Sequence, residues 1–243
     1  MQPEARLAAL GFRDEDVAVL AAHFRWAEEK GETGHGYSRI TWLETWDELP
    51  LGTPKRIDSE HWDGSGALGY LTLHAAVQEL LASPPEHARV VVCSHTFPTG
   101  ALGYWVRMLA EGGLVGALTA TSPRRLASPD GGPPLTGTNP LAIGIPSSDG
   151  QPVVADVSMG AVTHGAVLAG LAQPEELVPF GGPQAYKAFA LAVGLQLFVD
   201  ALVPDEGHGA VLLVARPEAD PVPAFRALAA GVRLPGDIQN SLM

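Results

Sequence analysis

The stretch Asp63–Leu81, "DGSGALGYLTLHAAVQELL", decides how the fold is read. Gly64, Gly66 and Gly69 spell G-x-G-x-x-G, and a helical run follows. In a dinucleotide-binding βαβ unit such glycines follow a strand, aim a helix N-terminus at a pyrophosphate, and are followed by an acid that holds a ribose. The residues before these glycines, "RIDSEHWD", form no β-branched run. The next apolar run, "RVVVC" (Arg89–Cys93), reads as a buried strand that delivers Ser94 and His95 and no acid. A chain with 28 glycines also produces the pattern by chance. The stretch therefore reads as a glycine-led helix over about Leu68–Ala82, not as a Rossmann site. Leu73, Val77, Leu80 and Leu81 supply its buried face, and Ser83-Pro84-Pro85 ends it.

Composition narrows the class. The chain has 243 residues, 46% of them hydrophobic and 17% charged, a balance suited to one large or two small globular domains. Its formal charge is -12 and it has no basic stripe, which argues against nucleic acid as a partner. Arg124 and Arg125 form an isolated pair that could meet one phosphate group. Cys93, the single cysteine, precludes an internal disulfide and fits a reducing cytosol. The N-terminus, "MQPEARLAALGFRDED", lacks the basic and apolar regions of a signal peptide. No apolar run approaches the length of a bilayer span on this reading, so a cytoplasmic protein with no membrane partner is expected.

Outward from the opening stretch, Asp14–Lys30 reads as a helix opened by acids and closed by Gly31. His35 follows on a loop between Gly34 and Gly36, and residues 40–62 read as irregular. Beyond His95, "ALGYWVRMLAEGG" reads as a helix and Leu114–Ala120 as a strand. A long proline- and glycine-rich loop leads to two strands, "LAIGIP" and "PVVADVS". Helices "AVTHGAVLAGLA" and "QAYKAFALAVGLQLFVDAL", strand "AVLLVA" and helix "PVPAFRALAAG" complete the chain. The expected organisation is an N-terminal helical segment with a candidate catalytic loop (1–62), an α/β core (63–220), and a C-terminal helix and tail (221–243) packing back on the N-terminal part.

Chemistry-bearing residues gather at glycine-bounded turns. In "GHGYSR", His35 can pass a proton and Arg39, four residues on, can clamp a carboxylate. His95 emerges from a buried strand ahead of a glycine-containing helix start, as a ligand or as a hydrogen-bonded core histidine. The turn Gly137-Thr138-Asn139-Pro140 enters an apolar strand, and Asp156 and Ser158 sit at a strand end before a helix. Lys187 follows a diglycine loop.

Taken together and in order, these turns resemble the malate/L-lactate dehydrogenase family, which includes ureidoglycolate dehydrogenase, diketogulonate reductase, sulfolactate dehydrogenase and piperideine-2-carboxylate reductase. "GHGYSR" is similar to the family's Ser-His-Gly-x-x-Arg loop, and "SHTFPTGALGYW" to its strand-end His before a glycine-rich helix. The Gly-Thr-Asn-Pro turn matches to the letter, and "DVSMG", "GGPQAYKAF" and "RLPGD" are similar to further family segments.

The resemblance implies a mixed α/β fold that binds NAD(P)H without a Rossmann unit, with a largely antiparallel or mixed sheet flanked by helices, and a homodimer. It implies reduction of a C=O or C=N carbon beside a carboxyl-like group with NADPH or NADH. Under it, His35 is the proton donor, Arg39 holds the substrate carboxylate, and His95 lies beside both ligands. Thr138, Asn139, Asp156, Val157, Ser158, Met159, Gly160, Tyr186, Lys187, Pro235, Gly236 and Asp237 are the implied cofactor contacts. Departures are Gly34 for serine, a "TFP" insertion after His95, Gly160 for serine, Ala166 where many members have lysine, Ala188 for glycine, and a shortened chain. The missing segments suggest an open pocket for a bulky, cyclic or peptide-borne substrate. The alternatives are a non-catalytic relative that acts as a binding partner, and a metal hydrolase built on His35, His95 and His164, for which no metal-ligand spacing exists.

Overall fold

A computed structural model describes residues 1–203 and 207–237. Its centre is a mixed seven-stranded sheet in the order β1-β2-β3-β7-β4-β5-β6. The strands are β1 (Lys55–Arg56), β2 (His61–Asp63), β3 (Ala88–Ser94), β4 (Val115–Ala120), β5 (Leu141–Ile145), β6 (Val153–Val157) and β7 (Ala210–Ala215). Only the β2–β3 pair is parallel; every other pairing is antiparallel. Strand alternation divides the faces. Val91, Cys93, Leu118, Ala142, Leu212 and Val214 point to one side and are buried.

That side is covered by α1 (Pro3–Ala9), α2 (Asp14–Glu29), α3 (Ser38–Leu43), α4 (Gly69–Ala82) and α5 (Leu102–Glu111), whose apolar stripes join the strands in one core. Acidic Asp14, Glu15 and Asp16 occupy the first turn of α2, where the helix dipole favours them. On the opposite face lies α7 (Ala185–Leu202), with Ala188, Ala192 and Val199 buried and Val199 packed in a cluster with Val203, Val211 and Val92. Two short helices, α6 (His164–Leu168) and α8 (Val222–Leu228), complete the described elements.

Three sequence expectations are corrected. Residues 40–62 are not wholly irregular: they hold the end of α3 and strands β1 and β2. These strands are too short and polar to show periodicity; pairing with β3 defines β2, and pairing with β2 defines β1. The helix expected across Ala161–Ala172 is confined to α6, capped by Thr163 and ended before Gly170, which has φ +71°. An apolar stretch of sufficient length for a bilayer does exist: Gly182–Leu202 is 21 residues, long and apolar enough by length and composition to cross a membrane. It escapes notice in sequence because Lys187 and Asp200 punctuate it. The C-terminal segment is tied to the β5–β6 hairpin and α5: the Pro235 carbonyl accepts from Val154 N–H, Arg226 pairs with Asp149, and Arg107 donates to the Gly236 carbonyl.

The opening glycines now have physical reasons. The β2–α4–β3 segment is a parallel βαβ unit, so a strand does precede them. Yet a Cβ on Gly64 would lie 2.7 Å from the His95 carbonyl oxygen, and one on Gly69 would lie 2.7 Å from both Phe97 N and the Pro98 carbonyl. Gly66 has φ +77°. All three serve backbone approach and turning around the 94–98 segment. Gly69→Ala is therefore expected to lower the unfolding free energy by about 1–3 kcal/mol through overpacking. Gly66→Ala, which has open space but the wrong φ, is expected to cost about 1–2 kcal/mol. Urea unfolding of both variants checks the ranking.

Candidate active site

A cavity of about 350 Å³ opens where α3, α6, the 96–101 segment and the loop after β4 converge. His35 and Arg39 both line it. His35 closes a 3-10 turn over Thr33–His35, just past the end of α2, and Arg39 lies in the first turn of α3. Glu28 of α2 holds this junction by accepting from Tyr37 N–H at 2.7 Å. From the other side α6 presses in so closely that a Cβ on Gly34 would sit 2.8 Å from Ala166 N, and one on Gly165 would collide with Arg39 and the Gly34 carbonyl. Gly34, a departure from the family serine, is thus required by the approach of α6.

Arg39 is 7% exposed, and its guanidinium has no hydrogen-bond or ion-pair partner among the described residues. Its Nε is fully enclosed, and its Cζ lies 5.0 Å from the Trp42 ring centroid, a cation–π contact. Burial lowers its pKa from the usual arginine value. His35 is half-buried, and its enclosed Nδ1 is unpartnered. Loss of hydration, then repulsion from Arg39 and His23, pushes the imidazole down to about 3, so it is neutral near pH 7.

His164 at the start of α6 and Arg125 of the long loop line the same cavity. Burial, Arg125 and Arg39 push His164 down to about 4. Glu32 and Asp156 also line the cavity. Asp156 accepts from Gly103 N–H at 2.6 Å at the start of α5; it meets solvent along the cavity while protein surrounds its carboxyl, which raises it to about 6. Glu32 also keeps solvent contact, but lost hydration and then Asp156 push it up to about 7.

Of the residues named from sequence, Thr138, Asp156 and Ser158 line the same cavity as His35 and Arg39. The others do not. His95 adopts φ +49°, which turns its ring back onto β2, where Nδ1 lies 2.9 Å from Asp63 Oδ1 and 3.0 Å from Ser65 Oγ. The cavity wall at that point is Phe97, Pro98 and Thr99, and His95 does not line it. Asp63, held by Ser65 and His95, is depressed to about 2.

Asn139 is buried and donates through Nδ2 to the Ala192 carbonyl and to Gln196, both at 3.0 Å, which anchors α7. Val157 points to the outer face and Met159 into a small core with Leu126 and Ala192. Gly160 bridges to Pro179 outside the cavity lining. Tyr186 is 60% exposed, and Lys187 donates to Gln184 at 2.6 Å. Pro235, Gly236 and Asp237 bind the β6 edge, α5 and Arg226.

Sequence reasoning gave no site role to Glu32, Trp42 or Tyr70, considered Arg125 only as half of a basic pair, and weighed His164 only as a metal ligand. Histidines 35 and 164 share the cavity while His95 does not, and among the described residues no group of three metal-ligating side chains is found.

This fold and cavity define an α/β protein with a cationic small-molecule site outside any Rossmann crevice. The sequence profile of the malate/L-lactate dehydrogenase family matches residues 3–177, and the chain belongs to that family. The chain is 30% identical over 231 residues to a Pseudomonas putida protein named Delta(1)-pyrroline-2-carboxylate/Delta(1)-piperideine-2-carboxylate reductase, covering 79% of this chain and 65% of the relative. It is 29% identical over 179 residues to (2R)-3-sulfolactate dehydrogenase (NADP(+)) of Chromohalobacter salexigens, covering 68% of this chain and 52% of that one. The matches thus span about half to two thirds of these relatives' lengths. Among solved structures, malate dehydrogenase from Entamoeba histolytica superposes with a TM-score of 0.80 at 19% identity, covering 97% of this chain and 84% of that one. Delta1-piperideine-2-carboxylate reductase from Pseudomonas syringae pvar. tomato gives 0.79 at 21%, covering 97% and 88%. These two establish the shared fold.

The raised pKa of Asp156 has a signed consequence. A carboxyl favoured in its neutral form by the fold contributes stability that is complete below about 4 and lost as pH rises through about 6. Asp156→Asn is therefore expected to gain on the wild type in unfolding free energy between pH 4 and pH 7, as read by urea unfolding at each pH. A constant difference would contradict the assigned environment.

Proposed function

We propose that this chain is an NAD(P)H-dependent reductase of a C=O or C=N carbon adjacent to a carboxylate. The observation that carries the reading is Arg39: a buried guanidinium without a protein partner, facing a cavity shared with His35. A buried unpaired charge is costly, and a fork of donors is the geometry that grips a carboxylate. The family to which the chain belongs and the names of its reductase relatives support the same chemistry.

The residues fit the nicotinamide end of the cofactor: Thr138, Ser158 and Asp156 give one cavity wall a polar edge beside apolar Pro140 and Ala120. A bound nicotinamide supplies the hydride. Arg39 holds the substrate carboxylate and fixes the plane of the reacting carbon. His35 delivers the proton to the oxygen or nitrogen. Lost hydration, and then repulsion from Arg39, hold the imidazole neutral in the unliganded protein; a carboxylate on Arg39 offsets only the second and smaller of these. The cavity of about 350 Å³ suits a small acid or cyclic imine better than a peptide-borne group. NADPH is slightly favoured over NADH, in keeping with the NADP(+) named for the Chromohalobacter relative.

A cytoplasmic setting and a homodimer belong to the same proposal. Val90, Leu213 and Ile143 are exposed and lie in register across β3, β7, β4 and β5, with Ala117 between the last two. Exposed Leu191, Phe198 and Leu202 of α7 enlarge this apolar surface, which a second copy would cover. Sedimentation at micromolar concentration is expected to give twice the 25.4 kDa of the chain; a monomer would remove the dimer.

The enzymatic reading is tested by oxidation of NADPH and NADH with a series of 2-oxo acids and cyclic 2-imino acids. His35→Ala is expected to lower kcat by about 10² or more, the typical worth of a general acid. Arg39→Gln is expected to raise KM for the acid while sparing that for the nicotinamide. Absence of turnover together with absence of nicotinamide binding would favour the non-catalytic relative.

A further inference from the structure

We propose that one wall of the cavity, formed by Trp42, Phe97 and Leu171, receives an aromatic ring carried on the substrate's side chain. This deepens the reading above, since it rests on Arg39 as the seat of the carboxylate. The Arg39 guanidinium lies 5.0 Å from the Trp42 ring centroid, so a carboxylate gripped by Arg39 sits beside the indole. Trp42 in turn meets Phe97 edge to face, with centroids 6.4 Å apart and planes at 82°. Both rings line the cavity and both are half-buried. Leu171, three residues past the end of α6, adds an aliphatic side chain to the same lining.

This wall differs from ordinary core. Trp42 packs against the main core, but among the described residues Phe97 and Leu171 join no hydrophobic cluster. Phe97 meets only the Trp42 ring and the His208 ring, the latter with centroids 5.1 Å apart, and Leu171 is 62% exposed. The backbone nevertheless pins Phe97. Its carbonyl accepts from Gly69 N–H, and the preceding Thr96 N–H donates to the His208 carbonyl at 2.7 Å. A Cβ on Gly69 would lie 2.7 Å from Phe97 N, so the third glycine of the opening stretch is what seats this ring at the cavity. Apolar surface held in a cavity and absent from any core gains most from a ligand group that removes it from water. A T-shaped pair of rings favours a third ring over an aliphatic chain, because ring faces and ring edges attract. An anionic side chain would instead seek Arg125, which also lines the cavity, and the probes below separate the two.

The probes are oxamate, N-benzyloxamate and N-oxalylglycine, which share one head and carry no side chain, a phenyl ring and a carboxylate respectively. Their affinities are measured by calorimetry with NADPH present. The wild type is expected to prefer N-benzyloxamate over each of the others by about tenfold or more, the scale of burying part of a ring. F97A is expected to lose most of that preference and L171S part of it. R39Q is expected to weaken all three probes together. If no probe binds the wild type, or R39Q leaves the affinities intact, the underlying reading falls and this proposal with it. If R39Q weakens the probes but the wild type shows no preference for the ring, or prefers N-oxalylglycine, only the aromatic wall is overturned. A preference that survives in both F97A and L171S overturns it equally, since the ring then binds elsewhere. Should F97A fail to fold by circular dichroism, the ratio in L171S, altered at an exposed position, decides.

Discussion

A guanidinium buried without a counter-charge is the constraint around which this molecule is arranged. Arg39 gives up hydration on α3 and receives in return only the face of Trp42. An uncompensated buried charge is expensive, so the surrounding structure has to enforce it. It does so by packing: the 3-10 turn of His35 is locked by Glu28 on one side and by α6 on the other. Gly34 and Gly165 let two backbones approach where any side chain would separate them. The same approach brings His164 to the cavity, so one packing contact places His35, Arg39 and His164 together.

Electrostatics across the cavity follow from this geometry. Burial, with added repulsion from Arg39 and, at His164, from Arg125, keeps both imidazoles neutral in the unliganded protein. Burial likewise pushes Glu32 and Asp156 up, so that they hold protons more readily than ordinary carboxyls.

The glycine fingerprint shows how a motif is separated from its usual meaning. A strand, three glycines, a helix and a parallel strand are all present in β2–α4–β3. Gly64 and Gly69 nonetheless face the 94–98 backbone, Gly66 only turns the chain, and α4 seats Tyr70 at the cavity edge. The spacing records how close two backbones come. What they close around is a matter of the whole fold.

Sequence alone determined the long helices α2, α4, α5 and α7 and the long strands, because their periodicity reflects burial that any solution of the fold must satisfy, whereas the short α1, α3 and α6 escape or mislead such a reading. It also singled out His35 and Arg39 as chemistry-bearing residues, while their convergence on one cavity depends on the junction between the 3-10 turn and α3 that Glu28 and α6 hold. Only tertiary structure decided which distant turns converge. The turns at Thr138, Asp156 and Ser158 reach the cavity, whereas Asn139 is spent on α7, Lys187 on its own helix, and Asp237 on Arg226. His95 lies near the cavity in sequence order, yet a left-handed backbone angle turns it onto Asp63. Arg125 and His164 gave no local signal of a shared site. Their meeting depends on a loop pinned by Thr136 and a helix admitted by Gly34, contacts between residues far apart in the chain.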